Sequence, residues 1–144
     1  MIYYKHERGV IMEIRLANKN DISKVSLILK SYDISYITIE HFREDVEFNR
    51  QFIMTENENI IAILSLVYDN QYNYYAMKRL LVTNEYKGKG YARIMLNYVS
   101  QRAQGKVGCT PWTNNAAMRH LLETLNFHLE YIFDSKWCYY VKQV

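Results

Sequence analysis

Residues 60–67 read Ile-Ile-Ala-Ile-Leu-Ser-Leu-Val, an apolar run interrupted only by Ser65. A bilayer-spanning helix needs about 20 apolar residues, so this run is too short to cross a membrane. It fits a strand buried inside a sheet, and such a strand needs other elements to cover it. The rest of the chain supplies them. Met12-Glu13-Ile14-Arg15-Leu16 alternates as a strand, and Ile22, Val25, Leu29 and Tyr32 recur at helical spacing behind a cap at Asn20 or Asp21. A second helix is expected from about Ile39 to Phe48, capped by Thr38, with Ile39, Phe42 and Val46 facing inward. Strands are expected at Gln51–Glu56, Asn59–Tyr68 and Tyr72–Thr83, with turn formers between them that favour antiparallel pairing. A helix over Gly90–Gln104, stopped by Gly105, and a short strand at Lys106–Thr110 come next. A helix over Asn115–Leu125 and closing strands at His128–Phe133 and Trp137–Lys142 complete the chain. The order β-α-α-β-β-β-α-β-α-β-β describes one α/β domain, a central mixed sheet of about seven strands flanked by four helices.

Periodic structure begins only at Met12, so residues 1–11 read as an N-terminal extension ahead of a domain spanning 12–144. Glu7 to Met12 is also what a purine-rich ribosome-binding site would encode in frame, which makes Met12 the expected native start. The N-terminus has no apolar signal core, and the two cysteines, Cys109 and Cys138, fit free thiols in a reducing, cytoplasmic setting. They lack metal-ligand spacing, so no metal is expected.

The formal charge of +3 is too small to imply nucleic acid, but the charge is segregated. Seven acids against two arginines lie between Asp33 and Glu58, and seven bases against Glu85 lie between Lys78 and Lys106. This is either two solvated faces of opposite sign, or a basic side for a phosphorylated ligand and an acidic side for a cation.

The sharpest local feature is Leu80 to Arg93, where an apolar strand ends in the loop Lys87-Gly88-Lys89-Gly90 and a helix opens at once with Tyr91-Ala92-Arg93. Glycines let a backbone approach a ligand, and the amides and dipole at a helix start favour an anion. A plain strand-to-helix turn needing positive φ would use the same glycines. A dinucleotide fingerprint would need a third glycine at Arg93, and a P-loop would need Ser or Thr at Gly90, so neither fits.

Lys87-x-x-Gly90-x-Ala92 resembles the pyrophosphate loop of the GNAT (Gcn5-related N-acetyltransferase) family, with lysine at its first position. Asn115 through Phe127 is similar to a second pattern of that family, matching at Asn115, Leu121 and Phe127, with Asn126 at the usual glycine. The opening Glu13-Ile14-Arg15-Leu16-Ala17 with Asp21 is also typical of such proteins. The resemblance covers residues 12–142 and implies a GNAT-like fold, acetyl-CoA as cosubstrate and transfer of an acetyl group to a primary amine by direct attack in a ternary complex. The acceptor implied is a small-molecule or peptide amine, cationic if the acidic segment faces it, with no nucleic acid and no membrane; the many tyrosines leave room for a homodimer. Cofactor contacts are expected from Leu81 and Val82, whose main chain would polarise the thioester, from Lys87, Gly88, Lys89, Gly90, Tyr91, Ala92 and Arg93, and from Asn115.

Departures from the family pattern bear on catalysis. The tyrosine that would protonate the leaving thiolate falls on Leu122, and the place of a strand-borne general base holds Lys78-Arg79. A CoA-binding sensor or partner module with weak chemistry is therefore the alternative. Candidate replacements are Glu40 and Glu44, on the helix that would wall the acceptor cleft, and Cys109, where two strands would splay. Restoring the tyrosine, Leu122→Tyr, is expected to raise turnover if thiolate departure limits the rate.

Overall fold

The computed structural model describes residues 2–5 and 11–144, with side chains from residue 12 onward. The expectation that residues 1–11 are an added segment falls largely outside the described residues. The chain divides into two compact units, Met1–Ser65 with Arg79–Met95 and Leu66–Lys78 with Leu96–Val144.

In the first unit, β1 (Ile2–Lys5) pairs antiparallel with β2 (Ile11–Leu16), which pairs antiparallel with β3 (Gln51–Glu56). β3 then pairs with the start of β4 (Asn59–Asp69) through a two-residue turn. Asn57 and Glu58 there take φ of 47° and 70°, the left-handed pair that a tight hairpin needs. Between β2 and β3 the chain forms α1 (Ile22–Lys30) and α2 (Ile39–Glu47). Thr38 caps α2 as expected, its hydroxyl accepting from the His41 amide at 3.1 Å. At α1 Asp21 stands at the N-cap position, as the sequence suggests, but its side chain makes no capping bond to the helix. Asn18 caps a 3-10 turn at Lys19–Asp21, and Asp21 instead accepts two bonds from Arg15 at 2.7 and 2.8 Å. The inward stripes of the two helices, with Val25, Phe42 and Val46, bury against Ile53, Ile60, Ile63 and Leu81. That apolar contact holds the helices on the sheet.

β5 (Tyr74–Val82) follows β4 through the turn 70–73 and is its neighbour in the sheet. In the second unit, β6 (Lys106–Cys109) lies parallel to the start of β5, with Tyr75 opposite Val107 and Ala76 opposite Gly108. A parallel neighbour requires a crossover, here through α3 (Tyr91–Ser100). β8 (Trp137–Gln143) pairs antiparallel with β6, and β7 (His128–Phe133) forms the outer strand of a hairpin with β8. Between β6 and β7 runs α4 (Ala116–Thr124), and Asn126 just beyond it takes φ of 68°, the left-handed exit for which asparagine serves well. Val107, Leu122, Leu125, Phe127, Cys138 and Tyr140 are buried here.

The seven strands expected from Met12 onward and the four helices are all present, in the expected order. Three differences stand out. Ile2–Lys5 adds a strand. β5 starts at Tyr74, because Asp69 accepts from the Gln71 and Tyr72 amides and holds those residues in the turn. Helix α3 ends at Ser100, four residues before Gln104, where the chain turns through Arg102 and Ala103.

Candidate functional site

The glycine segment sits in the first unit. Thr83 fixes the end of β5, its amide donating to the Ile61 carbonyl at 2.8 Å and its hydroxyl to that of Ile60 at 3.0 Å. A 3-10 turn at Asn84–Tyr86 follows, with the Asn84 amide donating to the Tyr32 hydroxyl at 2.8 Å. The Tyr32 ring also carries the Lys87 ammonium, 5.6 Å from its centroid. Gly88 and Gly90 take φ of 73° and 87°, a region that disfavours every side chain. A Cβ built on either glycine would meet nothing within 4 Å, so no packing requirement excludes a side chain there. The Gly90 carbonyl receives the Ile94 amide at 3.3 Å, so the turn runs directly into α3 and brings its amides and dipole with it. Lys87, Lys89 and Arg93 are exposed around it. Tyr86 and Tyr91 meet edge to face at 5.6 Å and brace the turn. Burial, together with a hydrogen bond to Glu56, pushes the Tyr86 phenol up to about 12, so it stays neutral. Leu81 is buried and Val82 half-buried.

A buried charge cluster lies next to the end of β5. Asp45, on the inward face of α2 between Phe42 and Val46, is 1% exposed. It accepts from Arg50 Nε at 2.6 Å, Arg79 Nη2 at 2.6 Å and Ser65 Oγ at 2.7 Å. Burial works against its charge, but hydrogen bonds from Ser65, Arg79 and Arg50 outweigh it and hold the carboxyl below its ordinary range. Arg79 interrupts β5 with φ of 59°, an unusual conformation for a non-glycine residue in a strand. Its buried Nε has no hydrogen-bond partner among the described residues. The ion pair thus ties α2 to a strained point three residues before Val82. The acid count over residues 33–58 reads Asp45 as one more solvated carboxylate. The signal that reveals it is its helical position, on the same face as Phe42 and Val46.

The other candidates fall as follows. Glu40 is exposed in the first turn of α2, and Glu44 is exposed and paired with Arg50 at 3.1 Å. In the second unit, Asn115 caps α4, its Oδ1 accepting from the Met118 amide at 3.1 Å. Leu122 is completely buried. Cys109 and Cys138 are both free thiols, and Cys109 faces Tyr140 across the β6–β8 pair. Burial pushes the Cys109 thiol up to about 12. A thiol of that kind donates a hydrogen bond but does not hand its proton to a thiolate of ordinary pKa near 8.5. Among the described residues, no His, Cys, Asp and Glu side chains cluster as a metal site, and no helix is long and apolar enough to cross a membrane.

A model of the acetyltransferase (GNAT) family matches residues 21–127. The chain belongs to that family. The match runs from Asp21 to Phe127 and so spans the glycine turn and α4. Transfer of an acyl group from acetyl-CoA is the chemistry of this enzyme family, and this chain is a GNAT acyltransferase. No curated protein matches the chain. Among solved structures it is similar to a GNAT-family acetyltransferase from Streptococcus agalactiae, with TM-score 0.76 and 17% identity over 98% of this chain and 99% of that one. It is similar to the spermidine N-acetyltransferase of Vibrio cholerae in complex with CoA and spermine, with TM-score 0.69 and 16% identity over 92% and 95%. It is also similar to Arabidopsis thaliana NAA60 in complex with a bisubstrate analogue, with TM-score 0.70 and 14% identity over 92% and 97%. At these identities the likeness is one of fold. The sequence marks Leu122 and Lys78-Arg79 as departures from the family pattern. In the structure Leu122 is core, Lys78 is exposed, and Arg79 is the ion-pair partner of Asp45.

Proposed function

We propose that this enzyme moves the acetyl group of acetyl-CoA to a primary amine by direct attack in a ternary complex, and that the turn from Lys87 to Arg93 holds the diphosphate of the donor. The observation that carries this reading is the pair of left-handed glycines, open on the side where a Cβ would stand, leading straight into a helix and surrounded by three exposed cations. The acceptor is a small-molecule or peptide amine. The structurally similar Vibrio cholerae enzyme holds a polyamine, which supports an amine acceptor without naming this one.

In the reaction the amine nitrogen attacks the thioester carbonyl carbon, the carbon–sulfur bond breaks, and the products are the N-acetyl amine, the CoA thiolate and a proton. An amine of pKa about 10.4 is neutral in only about 4 molecules in 10,000 at pH 7, so a proton must leave before attack. Asp45 does not take it, since its oxygens are filled by cationic and hydroxyl donors. Glu40 and Glu44, exposed on α2, are the carboxylates proposed to take it through water. The thiolate leaves without an internal acid, because Leu122 has no proton to give and Cys109 only donates a hydrogen bond. The absence of a general acid lowers the rate by about 10²-fold or more relative to an enzyme that has one. Main-chain groups at Leu81 and Val82 stabilise the developing oxyanion.

Calorimetric titration with acetyl-CoA tests the diphosphate site through two variants. Gly90→Ala adds a methyl in open space at a strained φ and is expected to keep affinity within about tenfold. Gly90→Glu puts a carboxylate against the diphosphate and is expected to lose about 100-fold or more. Equal affinities for the two variants would remove the site. Thiol release from acetyl-CoA with a panel of amines then checks turnover, and tight binding without turnover on any amine would instead identify a sensor module.

A further inference from the structure

The second unit contains an open cleft of about 550 Å³, a size typical of small-molecule sites. Its floor exists because residue 108 is glycine. A Cβ there would lie 2.9 Å from the Tyr139 ring and 3.1 Å from the Tyr74 ring, which meet edge to face over the β6 backbone at 5.4 Å. Tyr131 extends this aromatic surface, 5.1 Å from Tyr139. Two carboxylates, Asp69 and Glu130, stand at the cleft with one cation, Lys106. Lys106 neutralises Glu130 at 3.2 Å and rests its ammonium over the Tyr139 ring at 5.4 Å. Asp69 has no such partner among the described residues: its Oδ1 accepts from the Gln71 and Tyr72 amides, and its other oxygen carries no hydrogen bond.

From this arrangement we infer that the cleft binds an organic monocation, one ammonium group on an aromatic or apolar body. The charge count decides the class. Two acids and one lysine leave one negative charge unmatched, enough for a single ammonium and too little for a polyamine. Aromatic faces attract the same charge, and the ammonium of Lys106 over Tyr139 is an example within the fold. The phenols of Tyr74 and Tyr139 are both pushed up to about 12, first by burial and then in part by the Asp69 charge, so the cleft has a negative field and its tyrosines stay neutral. Recognition by the cleft does not depend on the acetyltransferase reading.

The test is an NMR titration of the full chain at neutral pH, without CoA, using phenethylamine, its neutral counterpart 2-phenylethanol, and spermidine. Phenethylamine is expected to bind about tenfold more tightly than the alcohol, and spermidine no more tightly than phenethylamine. Asp69→Asn keeps the oxygen that caps the turn while removing the charge, and should erase the preference for the amine. Tyr131→Leu, at an exposed ring, should weaken the amine several-fold. Equal binding of amine and alcohol, an unchanged preference in Asp69→Asn, or spermidine binding about tenfold more tightly than phenethylamine would each overturn the assignment. Because no coenzyme is present, a failed acetyl-CoA titration with intact amine binding would count against the transferase reading alone.

Discussion

Replacing Asp45 by asparagine should destabilise the protein, because it removes a buried charge held by three donors. The carboxylate is 1% exposed and holds two guanidiniums and a hydroxyl at 2.6–2.7 Å. Asparagine keeps the shape but removes the charge, leaving Arg79 and Arg50 facing an amide whose NH₂ is a donor. Breaking a buried pair by removing one partner costs about 3–5 kcal/mol. Here the arginines retain 19% and 28% of their side-chain surface in water, so part of their charge rehydrates and the expected loss is about 2–4 kcal/mol. For a chain of this size that corresponds to a fall in Tm of roughly 5–15 °C. The sign of the pH dependence follows from the lowered folded-state pKa. The stability from Asp45 is fully present above the unfolded value near 3.9 and is lost as pH falls through the lower folded value. Urea denaturation of wild type and Asp45→Asn should therefore give a constant gap above about pH 5 that narrows below pH 4. A gap under about 0.5 kcal/mol at pH 7, or one that widens in acid, would show that the buried Asp45 ion pair does not stabilise the fold.

Three further outcomes follow from the same geometry. Arg79→Gly should be more stable than Arg79→Ala by about 1 kcal/mol in chemical denaturation, because both lose the ion pair but only glycine accepts a φ of 59° without strain. Gly108→Ala should cost about 1–3 kcal/mol by the same measurement, since the added methyl would sit 3.1 Å from the Tyr140 carbonyl as well as against two rings. Leu122→Tyr, which the sequence alone presents as a repair of catalysis, should instead lose about 1–3 kcal/mol with no gain in thiol release, because the leucine is completely buried and the extra volume has nowhere to go.

Much of the fold is legible in the chain because its period and punctuation agree. Thr38 caps α2 where a threonine before an apolar stripe should, and the apolar run from Ile60 is a strand because its length suits little else. The glycine turn is equally plain, since Gly88 and Gly90 both take positive φ. What stays hidden depends on contacts between residues distant in sequence. Arg79 looks like part of a basic surface run until Asp45, 34 residues earlier, is seen against it. Tyr32 belongs by periodicity to α1, yet it lies past the helix and accepts the Asn84 amide across 52 residues. The aromatic cleft is a product of strand register, with Tyr74, Tyr131 and Tyr139 brought together from three strands over a glycine that has no motif of its own.

A crystal structure with CoA bound tests the diphosphate site most directly. The expected result is diphosphate oxygens within about 3 Å of main-chain nitrogens between Gly88 and Arg93, with the glycines still in the left-handed region. A coenzyme bound elsewhere, with that turn empty, would contradict it.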